Sequence, residues 1–263
     1  MTTTSFPWQA LPVQYRVVRA LLLREIVTRY GRHNLGSLWM FIEPMLLTLG
    51  VTVLWHYTFT GHDGALSVTA FAVTGYSCVQ LWRTTTGRCL HALQPNLSLL
   101  YHRDVGVLQI FAARILLELV GASAAFALMV ILFSAFELMP PPRELLPMLL
   151  GWGMLAWFGA GLALCLGAGS AMSEMVDRVW HPVSYLLFPL SGAMFLVDWL
   201  PSQVQALALW VPMINAIELV RAGYYGDAVH AHYTLAWPLA VNLCLTLFGL
   251  HLCRLAEARV ENE

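Results

Sequence analysis

The run LLPMLLGWGMLAWFGAGLALCLGAGSAMS, residues 145–173, contains no Asp, Glu, Lys or Arg in 29 positions. A helix needs about 20 mostly apolar residues to cross the hydrocarbon core of a bilayer, so this stretch reads as a spanning helix with length to spare. Within it Gly159, Ala163, Gly167 and Ala171 recur at every fourth position. Such a ladder of small side chains lets a second helix approach closely, which is how apolar helices associate where no water drives them together.

Six more windows lack Asp, Glu and Arg: 44–62, 64–82, 119–136, 179–197, 199–217 and 228–253. The window 199–217 differs from the rest because Pro201, Gln203, Gln205, Pro212 and Asn215 fall inside it, and a plain spanning helix would leave those polar groups facing lipid. It reads as a re-entrant or interfacial segment, which leaves six spans. The whole chain of 263 residues is 59% hydrophobic and 11% charged, against roughly 25% charged in an average soluble domain.

All 14 basic residues are Arg and none is Lys. A phosphate-binding loop of the G-x-x-x-x-G-K-[ST] type, a Schiff-base lysine and a Ser–Lys dyad are therefore excluded. A net charge of −1 offers no basic surface for nucleic acid. The five cysteines (Cys78, Cys89, Cys165, Cys244, Cys253) contain no C-x-x-C and read as small buried hydrophobes.

The first apolar run begins near Leu35, after Arg16, Arg19, Arg24, Arg29 and Arg32, and no A-x-A-like site follows it. No cleavable signal is expected, and the N-terminus is expected in the cytoplasm. Six spans then place both termini on that side, together with Arg83, Arg88, Arg103, Arg114, Arg178, Arg254 and Arg259. Only Arg143 and Arg221 fall outside, in keeping with the positive-inside rule. The stretch 139–144, with three prolines, is expected to make a short outer turn.

Residues 12–32 have strong helix formers upstream of the first span, although Arg16, Arg19, Arg24 and Arg29 do not share one face. Two readings stand: an anchor whose arginines snorkel to headgroups, and a helix lying flat in the interface beside the mouth of a pathway. The chain then runs RYGRHNLGSLWMFIEP from Arg29 to Pro44. The pattern R-Y-x-x-x-x-L-G-x-L-W-x-x-x-x-P after an Arg-rich helix resembles the membrane-entrance motif of type-2 ABC exporter permeases, the group that exports capsular polysaccharide, O-antigen and teichoic acid. A second segment, VPMINAIELVRAGYY from Val211 to Tyr225, is similar to that family's N-P-x-x-x-x-I-E-x-x-R segment after the fifth span. Here Val211 stands where the family usually has Asn, which leaves that position without a helix-capping side chain. The similarity extends over essentially the whole chain and is greatest to the capsule branch.

The resemblance implies an all-α integral membrane protein and a single transmembrane domain over 1–263. Six transmembrane helices are expected, with an interfacial helix at 12–32, a coupling helix at 94–104 and a re-entrant outer segment at 199–225 between spans five and six. The implied function is the permease subunit of an ATP-driven exporter that moves lipid-anchored capsular polysaccharide across the bacterial inner membrane. The chain would not be an enzyme by itself. It would hold no cofactor, ATP and Mg being bound by a separate ATPase. The implied partners are a second copy, two ATPase subunits, a periplasmic or inner-membrane export partner, lipid-linked polysaccharide and membrane lipids, with no nucleic acid. The alternatives are a type-2 permease for O-antigen, teichoic acid, lipid or drug and, outside the class, an intramembrane hydrolase.

The longest cytoplasmic loop runs from Arg83 to Gly106, and within it Pro95 can start a short helix. Leu97, Leu100 and Tyr101 would otherwise be apolar side chains exposed in a loop, so this segment reads as a docking helix, which the resemblance seats on the ATPase. Pro95, Asn96, Leu97, Leu100, Tyr101, Arg103 and Asp104 are its candidate contacts, and Glu174 and Asp177 a smaller second one. Candidates for the substrate entrance and canal are Arg29, Tyr30, Arg32, Trp39, Glu43 and Trp82, with arginines suited to hold anchor phosphate in bidentate geometry.

Arg114 with Glu118, and Glu218 with Arg221 in the outer motif, lie within one helical turn and are expected to pair locally. Trp39, Trp82 and Trp180 are expected near the inner interface, with a second aromatic group toward the outer one. Two weaker motifs, Gly121-Ala122-Ser123-Ala124 as a serine-protease echo and Asp227, His230 and His232 as a metal site, read better as helix packing and as a surface loop.

Overall fold

The computed structural model describes residues 7–30, 42, 45, 46, 48–54, 57, 66–100 and 105–260. Among them the chain is helical, with no strand. The elements are α1 (Pro7–Tyr30), α2 (Val68–Leu90), α3 (Leu97–Leu100), α4 (Val107–Ala135), α5 (Leu145–Met172), α6 (Glu174–Leu190), α7 (Ser202–Ala208), α8 (Pro212–Tyr225) and α9 (Ala236–Val260). Helical positions at 48–54 belong to the first apolar window. Among the described residues three helices, Val107–Ala135, Leu145–Met172 and Ala236–Arg259, are long and apolar enough to cross a membrane. Ser202–Ala208 and Pro212–Ala228 meet that test only as a pair, bent by 105°.

At the centre α2 packs against α5. Three threonines in succession make α2 less apolar than a lipid-facing helix, yet most of it is buried. Thr74 and Thr85 return their hydroxyl protons to carbonyls one turn back, at 2.8 and 2.6 Å, so the polar groups are satisfied within the helix. The small-residue ladder on α5 does what its spacing predicts. A β-carbon at Gly159 would stand 3.0 Å from Trp82 Cα, and one at Gly167 would stand 3.0 Å from Cys89 O and nearer still to the Phe111 ring. α8 locks onto α5 from the other side by a reciprocal device, since a β-carbon at Gly151 would lie 2.6 Å from Val220 N and one at Gly223 would lie 2.6 Å from Glu144 O.

Several helix limits depart from the apolar windows. α4 starts at Val107 rather than at 119, and so carries Arg114 and Glu118 inside it. Ion pairs with neighbouring helices supply the partners that lipid would not. α2 runs beyond Trp82 to Leu90 and takes Arg83 and Arg88 with it. α6 begins at Glu174, capped by Ser173 Oγ accepting from Met175 N at 3.3 Å, with Glu174 and Asp177 in its first turn. The last helix starts only at Ala236. Trp82 and Trp180 do not belong to an interfacial belt: both are buried, edge to face with centroids 6.4 Å apart, and Trp82 also meets Phe158 at 6.3 Å. The packing of the central helices claims them.

Candidate functional site at the two ends of the helix core

Ion pairs tie α1 to its neighbours. Glu25 Oε1 pairs with Arg114 Nε at 3.0 Å, and Arg114 Nη1 also donates to Arg88 O at 2.7 Å. Arg29 pairs with Glu118, which Arg88 Nε approaches to 3.9 Å. The local Arg114–Glu118 partnership expected from their spacing is thus replaced by cross-helix pairs, which bind α1 against α4 and the end of α2. Arg29, an entrance candidate, is engaged by Glu118 through one guanidinium nitrogen. Tyr30 closes α1, while Arg32, Trp39 and Glu43 lie outside the described residues.

Next to this junction, residues 94–96 form a 3-10 turn that leads into α3. The expected helix at 94–104 is therefore two short pieces as far as Leu100, with Tyr101, Arg103 and Asp104 outside the described residues. Asn96 is buried, accepting from Arg24 Nη1 at 2.6 Å and donating to Ala92 O at 2.7 Å. Leu100 packs inward on the cluster of Leu93, Val107 and Phe111. Among the described residues of this stretch, Gln94, Pro95, Leu97 and Ser98 are exposed. Leu100, expected on the outer docking face, is half-buried against the protein's own core.

The second contact candidate adjoins the first. Asp177 Oδ1 lies 3.5 Å from His91 Nε2 and 3.9 Å from His181 Nδ1, while Glu174 is exposed and meets Arg178 at 3.1 Å. Sequence separation hid this neighbourhood, since His91 follows α2 and Asp177 sits on α6.

At the opposite end Arg221 is fully buried (0% exposed). It donates to Gly192 O at 2.7 Å, to Phe195 O at 2.5 Å and to Ala193 O, and its guanidinium lies 3.9 Å from the Phe71 ring centroid. Glu218 accepts from Val197 N at 3.2 Å and from His232 N at 3.1 Å. The expected Glu218–Arg221 pairing gives way to capture of backbone from the segments on either side, which carbonyls and amides without helical partners invite. Val211 supplies no side-chain cap to α8. Asn215 ties the segments that flank α8, donating to Leu209 O at 2.7 Å and accepting from Thr234 N at 2.8 Å. The turn at 139–144 folds onto the same end, with Glu144 N donating to Gly223 O at 2.8 Å.

The minor motifs have structural uses. Ser123 accepts from Trp152 Nε1 at 2.9 Å, a helix-to-helix tie. His232 Nε2 lies 3.1 Å from Asp198 rather than beside Asp227. Among the described residues no cluster of His, Cys, Asp and Glu could hold a metal ion.

A helical core with a charged junction at one end and a sharply bent helix pair at the other narrows the family. Residues 16–225 match the ABC-2 type transporter family. The chain belongs to that family. It is 40% identical over 242 residues to the capsule polysaccharide export inner-membrane protein BexB of Haemophilus influenzae, covering 92% of this chain and 91% of that protein. The capsule polysaccharide export inner-membrane protein CtrC of Neisseria meningitidis serogroup B is 39% identical over 247 residues, 94% of this chain and 93% of its own. The polysialic acid transport protein KpsM of Escherichia coli is 31% identical over 256 residues, 93% and 95% of the two chains.

Proposed function

We propose that the chain is the permease subunit of an ATP-driven exporter carrying capsular polysaccharide on a lipid anchor across the inner membrane. The observation that carries this reading is similarity at about 40% identity, spread over more than nine-tenths of both chains, to inner-membrane proteins named for capsule polysaccharide export. The family membership over residues 16–225 supports it.

In this reading one domain over 1–263 crosses the membrane six times and keeps both termini in the cytoplasm, and the pair α7–α8 is the re-entrant outer segment. Two copies frame a canal. Two ATPase subunits, which bind ATP and Mg, dock on the exposed positions Pro95 and Leu97, with Tyr101, Arg103, Asp104 and Glu174 as neighbouring contacts. The absence of any lysine for a phosphate loop is the chemical reason that work must arrive from outside the chain. The polymer enters by the segment 29–43, where Arg32, Trp39 and Glu43 are the candidates, and a periplasmic or inner-membrane partner receives it.

The test is deletion of the gene in its native host with surface polysaccharide quantified by glycan staining. Loss of surface polymer with accumulation inside, reversed by the intact chain, is expected. Undiminished surface polymer in the deletion strain overturns the reading.

A further inference from the structure

Ser77 carries a hydroxyl that α2 does not satisfy. Thr74, Thr84 and Thr85 return their protons to carbonyls one turn back, at 2.8, 2.6 and 2.6 Å, and Thr86 donates to Arg83 O at 2.9 Å. Ser77 is only 6% exposed, yet its Oγ has no hydrogen-bond partner among the described residues. A buried hydroxyl left without a partner costs free energy, and native structures seldom leave one so.

The hydroxyl does not face a closed wall. Ser77, Thr48 and Gln80 line a cavity of about 10 Å³, and α4 forms its other side with Ala122, Phe126 and Met129. A water needs roughly 10–15 Å³ and about two to four polar partners, so the volume suits one water and no larger ligand. The partners are at hand. Thr48 Oγ1 donates to Gln80 Oε1 at 3.4 Å, longer than a hydroxyl donor prefers, and the carboxamide oxygen keeps a second lone pair. Gln80 also lines the wider open cavity beside Tyr76 and Thr84, which gives a water its way in.

We propose that this cavity binds a single structural water that joins the first apolar helix to α2 inside the membrane. Ser77 Oγ donates to the water, and the water donates to Gln80 Oε1, with Thr48 Oγ1 as a further acceptor. Thr48 belongs to the helical positions 48–54, and Ser77 and Gln80 belong to α2, so one molecule is shared by two helices while α4 closes over it. Lipid offers neither donors nor acceptors there, and a bridging water is nearly as good a link as a direct bond. The site does not depend on which substrate the chain moves.

The test uses the purified full chain in lipid nanodiscs. A short X-ray pulse splits bound water into hydroxyl radicals, which oxidise an adjacent methionine to its sulfoxide. Met129 lines the cavity and is 1% exposed, while Met213 on α8 is 3% exposed and serves as the buried control. Met129 is expected to oxidise several times faster than Met213 in the wild type, and to fall to the control rate in Ser77→Val, whose added methyls fill the space. Equal rates in the wild type overturn the site, as does fast Met129 oxidation that persists in Ser77→Val. Thermal unfolding gives a second reading by its sign. Ser77→Ala is expected to lower the unfolding temperature by about 2–4 °C, because the water loses a partner. In a dry cavity the same change removes an unsatisfied hydroxyl, so an unchanged or raised unfolding temperature overturns the proposal. If Ser77→Val does not fold, the wild-type rates and Ser77→Ala decide.

Discussion

The Arg24 guanidinium donates to Asn96 Oδ1 at 2.6 Å and so joins the N-terminal helix to the segment before α3 across 72 positions of chain. Asn96 also donates to Ala92 O, so one buried amide fixes the turn and holds the helix. The 94–100 segment is thereby tied to α1. Asn96→Ala is expected to lower the stability of the purified protein by about 1–3 kcal/mol, since it strands a charged donor. In thermal unfolding, Arg24→Ala combined with Asn96→Ala should cost no more than about the larger single loss. Strictly additive losses would show that the two side chains act independently.

Leu97 and Leu100, three residues apart, face opposite duties. Leu97 is exposed and Leu100 packs into the protein's own core. Leu97→Asp is therefore expected to abolish retention of the ATPase in pull-down while leaving the unfolding temperature within about 2 °C, as surface substitutions do. Leu100→Asp is expected to lower the unfolding temperature itself by burying a charge. Full ATPase retention by Leu97→Asp would move the docking surface to 173–178.

Replacing Arg221 probes the opposite end. Lysine keeps the charge but cannot spread donors over Gly192, Ala193 and Phe195 as the guanidinium does. Arg221→Lys is expected to cost about 3 kcal/mol or more, from carbonyls left without donors in a buried place, and Arg221→Met at least as much. Measured stability equal to wild type would show that water replaces the lost donors.

Side-specific labelling tests the re-entrant placement of 199–225. Gln203 is exposed, whereas Gln205 spends its amide on Leu200 O at 2.9 Å, so position 203 is the better reporter. Of the five native cysteines only Cys244 is exposed, and Cys244→Ser provides the background. Gln203→Cys is expected to react with an impermeant maleimide from outside intact cells. Reaction only after the cytoplasm is opened would reverse the topology.

The spanning helices around 145–172 and 236–260 were legible because apolar runs of that length have few other uses. The close approach at Gly159 and Gly167 followed from spacing alone. The start of α4 did not, because Arg114 and Glu118 look like a boundary until their partners Glu25 and Arg29, on a helix some 90 residues away, are known. Arg83 was counted as a topology marker for a related reason: composition placed it just past a span, and the true end of α2 lies two turns further on. The Glu218–Arg221 spacing suggested a partnership that each residue forgoes for nearby backbone. Local periodicity reports which face is apolar, and carries no record of which distant carbonyl will need a donor.

The way Glu218 bridges Val197 and His232 divides the protomer mechanically. Its two backbone donors belong to segments on either side of α8, and dry bonds of that kind do not exchange partners cheaply. At the Arg-rich end the ties are ion pairs such as Arg88 with Glu118 at 3.9 Å, on side chains that keep some access to solvent, and pairs of that sort rearrange at small cost. The two ends are thus held by different ties, captured backbone around Glu218 at one and cross-helix ion pairs with partial solvent access at the other.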